Sequence, residues 1–73
     1  METTSIDSPE EIGSLVRARR GELGISQTEL ADVAGTTLRF ISELERGKPS
    51  ISLHKLLPVL AVLGLQLRVV EAP

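Results

Sequence analysis

The stretch that decides the fold runs over residues 26–47 and reads SQTELADVAGTTLRFISELERG. Ser26-Gln27-Thr28-Glu29 has the form of a capping box: a hydroxyl that accepts the N–H three residues on, and a carboxylate that reaches back to the first N–H. Leu30, Ala31 and Ala34 follow at helical spacing and Gly35 supplies a left-handed stop, which predicts a short helix over residues 27–34. Thr36 and Thr37 occupy the turn. Thr37 then caps a further helix whose buried stripe is read as Leu38, Ile41 and Leu44, ended by Gly47 before Lys48-Pro49. The pair has a small residue, Ala31, where the helices meet, and Ile41 and Leu44 to lock them. Two short helices joined in this way form a helix-turn-helix, whose second helix is built to enter a DNA major groove. Its outward face starts at Thr37 and runs through Leu38, Arg39, Ser42 and Glu43. An ordinary amphipathic pair in a helical bundle has the same spacing.

Working outward, Ser8-Pro9-Glu10-Glu11 reads as an N-cap, a proline at the first helical position and a glutamate that closes a second capping box. Ile12, Leu15, Val16 and Leu23 then carry a first helix over residues 9–23, stopped by Gly24. Downstream, Ser52 caps a helix bearing Leu53, Leu56, Leu57, Leu60 and Leu63, stopped by Gly64. Pro58 lies inside it, removes the hydrogen bond to the His54 carbonyl and should bend the helix. Past Gly64 the period changes: Leu65-Gln66-Leu67-Arg68-Val69 alternates apolar and polar, which predicts a strand. A lone strand needs a partner from outside, and the same strand in a second copy is the simplest one. The last helix is also apolar nearly all round, with Val59, Ala61 and Val62 off its leucine stripe. A dimer interface is therefore expected along Val59, Val62, Leu65, Leu67, Val69 and Val70. The chain divides into an acidic arm (1–8), a helix-turn-helix domain (9–64) and a dimerisation strand and tail (65–73). The fold class expected is mainly α, with four to five helices and the short C-terminal β-strand pairing across the dimer.

Composition bounds what such a domain can do. The 73 residues are 41% hydrophobic, yet Phe40 is the single aromatic and there is no Cys, so the apolar material is nearly all Leu, Ile, Val and Ala. A chain this short hides only about 60% of its unfolded surface. With no Cys for disulfides and one His, oligomerisation is the support that remains. Pro58, Gly64, Gln66 and Arg68 break every long apolar run, so no bilayer span is expected. METTSIDSPEE holds no base and no apolar run, so a secretory signal is not expected and a cytoplasmic location is. The net charge of −2 is the wrong sign for DNA, but it is unevenly spread. Residues 1–11 sum to −4, whereas residues 12–55 sum to +2. The reading head is mildly basic behind an acidic arm.

Other singletons point away from chemistry. His54 has no second ligand at metal spacing, so a surface or capping role is expected of it. Ser14, Ser42 and the threonines lack a His/Asp frame for nucleophilic catalysis, and the glycines are helix stops rather than a phosphate loop. No enzyme, cofactor or metal is expected. Phe40 adjoins the outward face and is read as a half-exposed wedge against the last helix or the DNA backbone, with a core position as the equal alternative.

Residues 13–64 resemble the phage repressor/Cro (Xre-type) helix-turn-helix family, most specifically through residues 26–47. The following GKPSISLHKLLPVLAVLGLQLRVV is most similar to HipB-type antitoxins. The resemblance implies a homodimeric transcriptional repressor on a palindromic operator. Within it, Gln27 matches a phosphate-contacting position at a helix N-terminus, and Thr36, Thr37, Leu38, Arg39 and Ser42 match the turn and the base-facing positions. Arg39 would pair with guanine O6 and N7, and Leu38, where relatives often carry Gln, would offer apolar contact to a thymine methyl. Arg46 and Lys48 would clamp the DNA backbone. Arg20 and Glu45 match a structural ion pair between the first and third helices. The likeness to HipB further implies the antitoxin of a type II toxin–antitoxin module that holds a HipA-like kinase toxin through residues 1–11, the last helix or the tail. The alternatives are a stand-alone repressor without a toxin, and a protein-interaction subunit that has lost DNA binding.

Overall fold

The computed structural model describes residues 4–73, so the first three residues of the acidic arm, Glu2 among them, lie outside the described residues. Four helices follow in order: α1 (Pro9–Leu23), α2 (Gln27–Ala34), α3 (Leu38–Glu45) and α4 (Leu53–Val62). Each begins where a hydroxyl takes over an orphan backbone donor. Ser8, Ser26, Thr37 and Ser52 accept from the N–H groups of Glu11, Glu29, Phe40 and Lys55 respectively. At Ser26 the box is complete, since the Glu29 carboxylate accepts from the Ser26 N–H at 2.9 Å. At Ser8 it is not. The Glu11 carboxylate passes Ser8 and takes the N–H of Asp7 at 3.0 Å, tying the arm down one residue earlier than expected.

The helix ends share one device. After α2 the Gly35 N–H bonds back to Asp32 and the Thr36 N–H to Ala31, a Schellman turn that needs φ of 70° at Gly35. This turn, between Gly35 and Thr37, sets the angle between α2 and α3. Gly47 ends α3 in the same way, and a Cβ there would also lie 2.8 Å from Glu10 Cα. The α3–α4 loop thus lies directly on the start of α1.

α3 packs on both α1 and α2, and α2 packs on α4. Val16, Leu30, Ile41, Leu44, Val59 and Leu63 are fully buried and form the centre of the core, with Ala31, Leu56 and Leu60 beside them. Gly13 allows α1 to lie against the end of α3: a Cβ there would strike the Leu44 carbonyl oxygen and stand 2.9 Å from that of Glu45.

Several expectations need correction. Leu38 is 49% exposed, so the buried stripe of α3 is Ile41 and Leu44 alone. The buried face of α4 keeps Leu56, Leu60 and Leu63 of the leucine stripe but is turned away from Leu53 and Leu57 and toward Val59. Val59 is fully buried and belongs to the core rather than to a dimer interface, while Leu53 and Leu57 stand exposed. The physical reason is the contact with α2. The face that meets it follows Leu56, Val59, Leu60 and Leu63, spaced i, i+3, i+4 and i+7, and this stripe leaves the Leu53–Leu57 line outside. The helix runs through Pro58, whose ring sits on the exposed side. No strand forms among the described residues. Leu65 packs against the core and its N–H closes α4 onto the Leu60 carbonyl at 2.8 Å. Beyond it Leu67, Val69 and Val70 are exposed, with no backbone hydrogen-bond partner among the described residues.

Candidate nucleic-acid interface

The outward half of α3 is set by its first turn. Thr37 accepts the Phe40 N–H through Oγ1 at 3.0 Å, which fixes the helix start and leaves the hydroxyl proton free to donate outward. Leu38 and Arg39 project from that turn, the Arg39 side chain 88% exposed. Ser42, one turn on, is half-buried at the edge of the same surface, and Thr36 is half-buried in the turn itself. Arg46 and Lys48 are exposed at the far end of α3. The structure therefore brings Thr37, Leu38, Arg39 and Ser42 to one face of one helix, as the sequence pattern requires.

Two carboxylates on α3 organise the charges around it. Glu45 takes Arg20 in a bidentate grip, Nε to Oε2 at 2.7 Å and Nη2 to Oε1 at 3.0 Å. Arg20 also donates through Nη1 to the Ile25 carbonyl at 2.9 Å, so one guanidinium joins α1, the α1–α2 loop and the end of α3. The pair is the one expected from the sequence. Gln27 joins it, donating from Nε2 to Glu45 Oε1 at 3.0 Å. Its side chain, expected on a phosphate, is thus half-buried with one amide proton committed inside the protein and the other still able to donate. Burial pushes the Glu45 carboxyl up, but the hydrogen bonds from Arg20 and Gln27 outweigh it and hold the group below the usual carboxylate range.

Glu43 faces the other way. Its Oε1 accepts from Arg39 Nε at 2.7 Å and its Oε2 from Lys48 Nζ at 2.6 Å. Those two hydrogen bonds, Lys48 first, hold its carboxyl down at about 2. Lys48, expected to grip the DNA backbone, is therefore joined to a carboxylate of its own chain. Nearby, Lys55 Nζ lies 5.9 Å from the centroid of the Phe40 ring. Phe40 is half-buried and leans on the core, as a wedge toward α4, and Lys55 covers its outer side. His54 is exposed in the first turn of α4.

Sequence reasoning missed the ties made by Lys48, Arg39, Gln27 and Arg19. The Arg39–Glu43 pair has i, i+4 spacing and was legible in principle. The Gln27–Glu45 bond joins residues 18 positions apart and has no local signal. The same holds for Arg19, whose Nε donates to the Leu63 carbonyl at 2.9 Å and so fastens the end of α4 to α1. Among the described residues no group of His, Asp or Glu side chains is arranged to hold a metal ion, and no helix is long and apolar enough to cross a membrane.

This architecture has known counterparts. The profile of the helix-turn-helix family matches residues 16–70. An uncharacterised HTH-type transcriptional regulator, y4mF, from Sinorhizobium fredii is 52% identical over 59 residues, covering 81% of this chain and 78% of the relative. Among solved structures, HipB in its complex with an O4 20-mer superposes with a TM-score of 0.85 at 25% identity, covering 97% of this chain and 100% of HipB. HipB within the HipA-HipB-O2-O3 complex gives 0.86 at 24% identity over the same shares, which is a likeness of fold. The clp gene regulator ClgR from C. glutamicum gives 0.72 at 30% identity, covering 88% of this chain and 82% of that protein.

Proposed function

We propose that this chain, which belongs to the helix-turn-helix family and is a transcriptional regulator rather than an enzyme, works as a homodimeric repressor that places α3 of each subunit in the major groove of a palindromic operator. The observation that carries the reading is the outward face of Thr37, Leu38, Arg39 and Ser42, held rigidly because the base of the same helix is tied to α1 and α2 by Arg20, Glu45 and Gln27. Two recognition helices related by a two-fold axis would meet half-sites about 34 Å apart. Thr36, Gln27 and Arg46 flank the face where phosphates would run, and the N-terminus of α2 adds backbone N–H groups that favour an anion. Net charge does not oppose this, since residues 12–55, which carry the reading head, sum to +2. A gel shift on the region upstream of the gene at two salt concentrations tests it. Binding should weaken steeply with salt. No shift, or a salt-independent one, rules out the repressor.

Dimerisation is supported by the exposed apolar tail. Leu67, Val69 and Val70 present unpaired backbone beside the half-buried Val62 and Leu65, and a second tail antiparallel to the first would satisfy both. Leu65 closes α4, so truncation should begin after it. Removing residues 66–73 is expected to leave a folded monomer in sedimentation, and a stable dimer would sink the strand pairing.

The finer reading is a HipB-like antitoxin that represses its own operon and binds a HipA-like kinase toxin. The fit of nearly the whole chain to HipB, a protein solved together with HipA, supports it. The higher identity to ClgR favours the competing reading, a regulator without a toxin. Co-expression with the product of a neighbouring kinase gene decides between them: co-purification in a defined complex favours the antitoxin, and its failure favours the stand-alone regulator.

A further inference from the structure

Glu43 is the residue of the reading face whose position neither the base-contacting nor the phosphate-contacting role explains. It points toward the surface where DNA phosphates would approach, and both of its oxygens are already used, Oε1 by Arg39 and Oε2 by Lys48. Each oxygen already takes a charge-assisted bond, so about half of the carboxylate's roughly four acceptor sites are filled before any base arrives. Arg39 is held at one atom only. Its Nε is fixed, while both terminal amino groups, Nη1 and Nη2, have no hydrogen-bond partner among the described residues.

We infer that Glu43 is a positioning residue for base reading: it grips Arg39 by Nε and presents the terminal edge of the guanidinium to a single guanine, while Lys48 holds Glu43 in place. The inference rests on the reading that Arg39 contacts bases. Guanine offers O6 and N7 as two adjacent acceptors, which match two parallel N–H groups, whereas adenine sets an amino donor where O6 would be. An unrestrained arginine at 88% exposure would lose much rotamer freedom on docking and could as well swing to a phosphate. With Nε tied, the swing is blocked and less freedom remains to lose. An exposed i, i+4 pair is weak on its own. Here the carboxylate is only 18% exposed and has a second cation, and docked DNA would exclude water and strengthen the grip. The negative charge also repels phosphates, so the same residue lowers affinity for DNA in general.

The test is selection of duplexes from a random pool, followed by competition between matched duplexes differing at the selected guanine, for the wild type, Arg39→Ala, Glu43→Ala, Glu43→Gln and Lys48→Ala. Thermal melts check that each variant is folded. The wild type should prefer guanine over adenine at one position per half-site by about 10- to 100-fold, and Arg39→Ala should lose that preference. Glu43→Ala should lower it about tenfold while tightening binding to unrelated DNA. Glu43→Gln, which keeps an acceptor for Nε, should fall between, and so should Lys48→Ala. A Glu43→Ala protein that keeps the full preference overturns the positioning role. If Arg39→Ala itself keeps the preference, the assignment of Arg39 to bases fails first and the role of Glu43 with it.

Discussion

Glu43 and Glu45 stand two residues apart on the same short helix, and each carboxylate holds an arginine and one further donor. Their surroundings divide them. Glu45 is 3% exposed and its Arg20 partner 18%, and between them they close the seam where α1, α2 and the end of α3 meet. Glu43 is 18% exposed, but its partners reach 88% at Arg39 and 49% at Lys48, and all three lie on the outward surface. Side chains on one helix separated by two residues point about 200° apart, so one acid is turned inward and the other outward by helical geometry alone. The same chemistry thus holds the fold at one position and two exposed cations at the other. Burial decides which, because an ion pair in the seam cannot be replaced by water and one on the surface can.

The most severe way to break the seam is to remove one partner. Arg20→Ala leaves Glu45 buried with Gln27 as its remaining donor, and strands the Ile25 carbonyl as well. Breaking a buried pair costs several kcal/mol, and partial access of water to Arg20 brings the expected loss here to about 2–3 kcal/mol. In so small a domain that is a large share of the total stability. Urea denaturation of the variant checks it, and a loss no greater than that of a surface substitution would show that the seam is dispensable.

Gln27 links the two kinds of role. As an amide beside the α2 N-terminus it has one proton on Glu45 and one to offer a phosphate. Gln27→Ala should therefore weaken binding to all operators by a similar factor, since a phosphate contact carries no sequence information. It should also cost about 0.5–1.5 kcal/mol of stability through the lost bond to Glu45. Competition and denaturation measured on the same variant separate the two. A change in base preference with unaltered stability would place Gln27 among the base readers instead.

Local signals in the sequence carried most of the fold. The four helices lie where the caps Ser8, Ser26, Thr37 and Ser52 and the four stopping glycines put them, because capping is chemistry between residues three to six apart. What local signals could not supply was orientation against neighbours. The α4 leucines placed Leu56, Leu60 and Leu63 inside but also Leu53 and Leu57, because the helix is apolar nearly all round and the edges of its inward side are chosen by α2. Val59 went to the core for that reason. On the reading head, the outward position of Arg39 was legible from the family's pattern, as was that of Leu38, which helical spacing alone had put in the buried stripe. The internal hydrogen bonds of Gln27 and Lys48 were not legible, since each depends on a carboxylate brought up by tertiary packing or by the turn after α3.

The smallest effect expected is on acid stability, and it separates the two carboxylates without changing a residue. Glu43 has its carboxyl at about 2 in the folded chain against 4.5 for an unconstrained glutamate, and Glu45 is displaced in the same direction. A carboxylate lowered by folding stabilises the native state fully above the unfolded value, and that contribution disappears as pH falls through the folded one. For Glu43 the window therefore runs from about 4.5 down to about 2. Added salt should shrink the part owed to Glu43, because the Debye length falls to about 3 Å at 1 M and its partners are in solvent. The part owed to the sheltered Glu45 should persist. Thermal melts across that window at low and high salt, with Glu43→Gln beside the wild type, separate the part owed to Glu43 from that owed to Glu45 and to the capping Glu29, which Ser26 also holds down. If high salt abolishes the whole acid-induced loss, the seam is no better shielded than the reading face, and burial is not what sets the two glutamates apart.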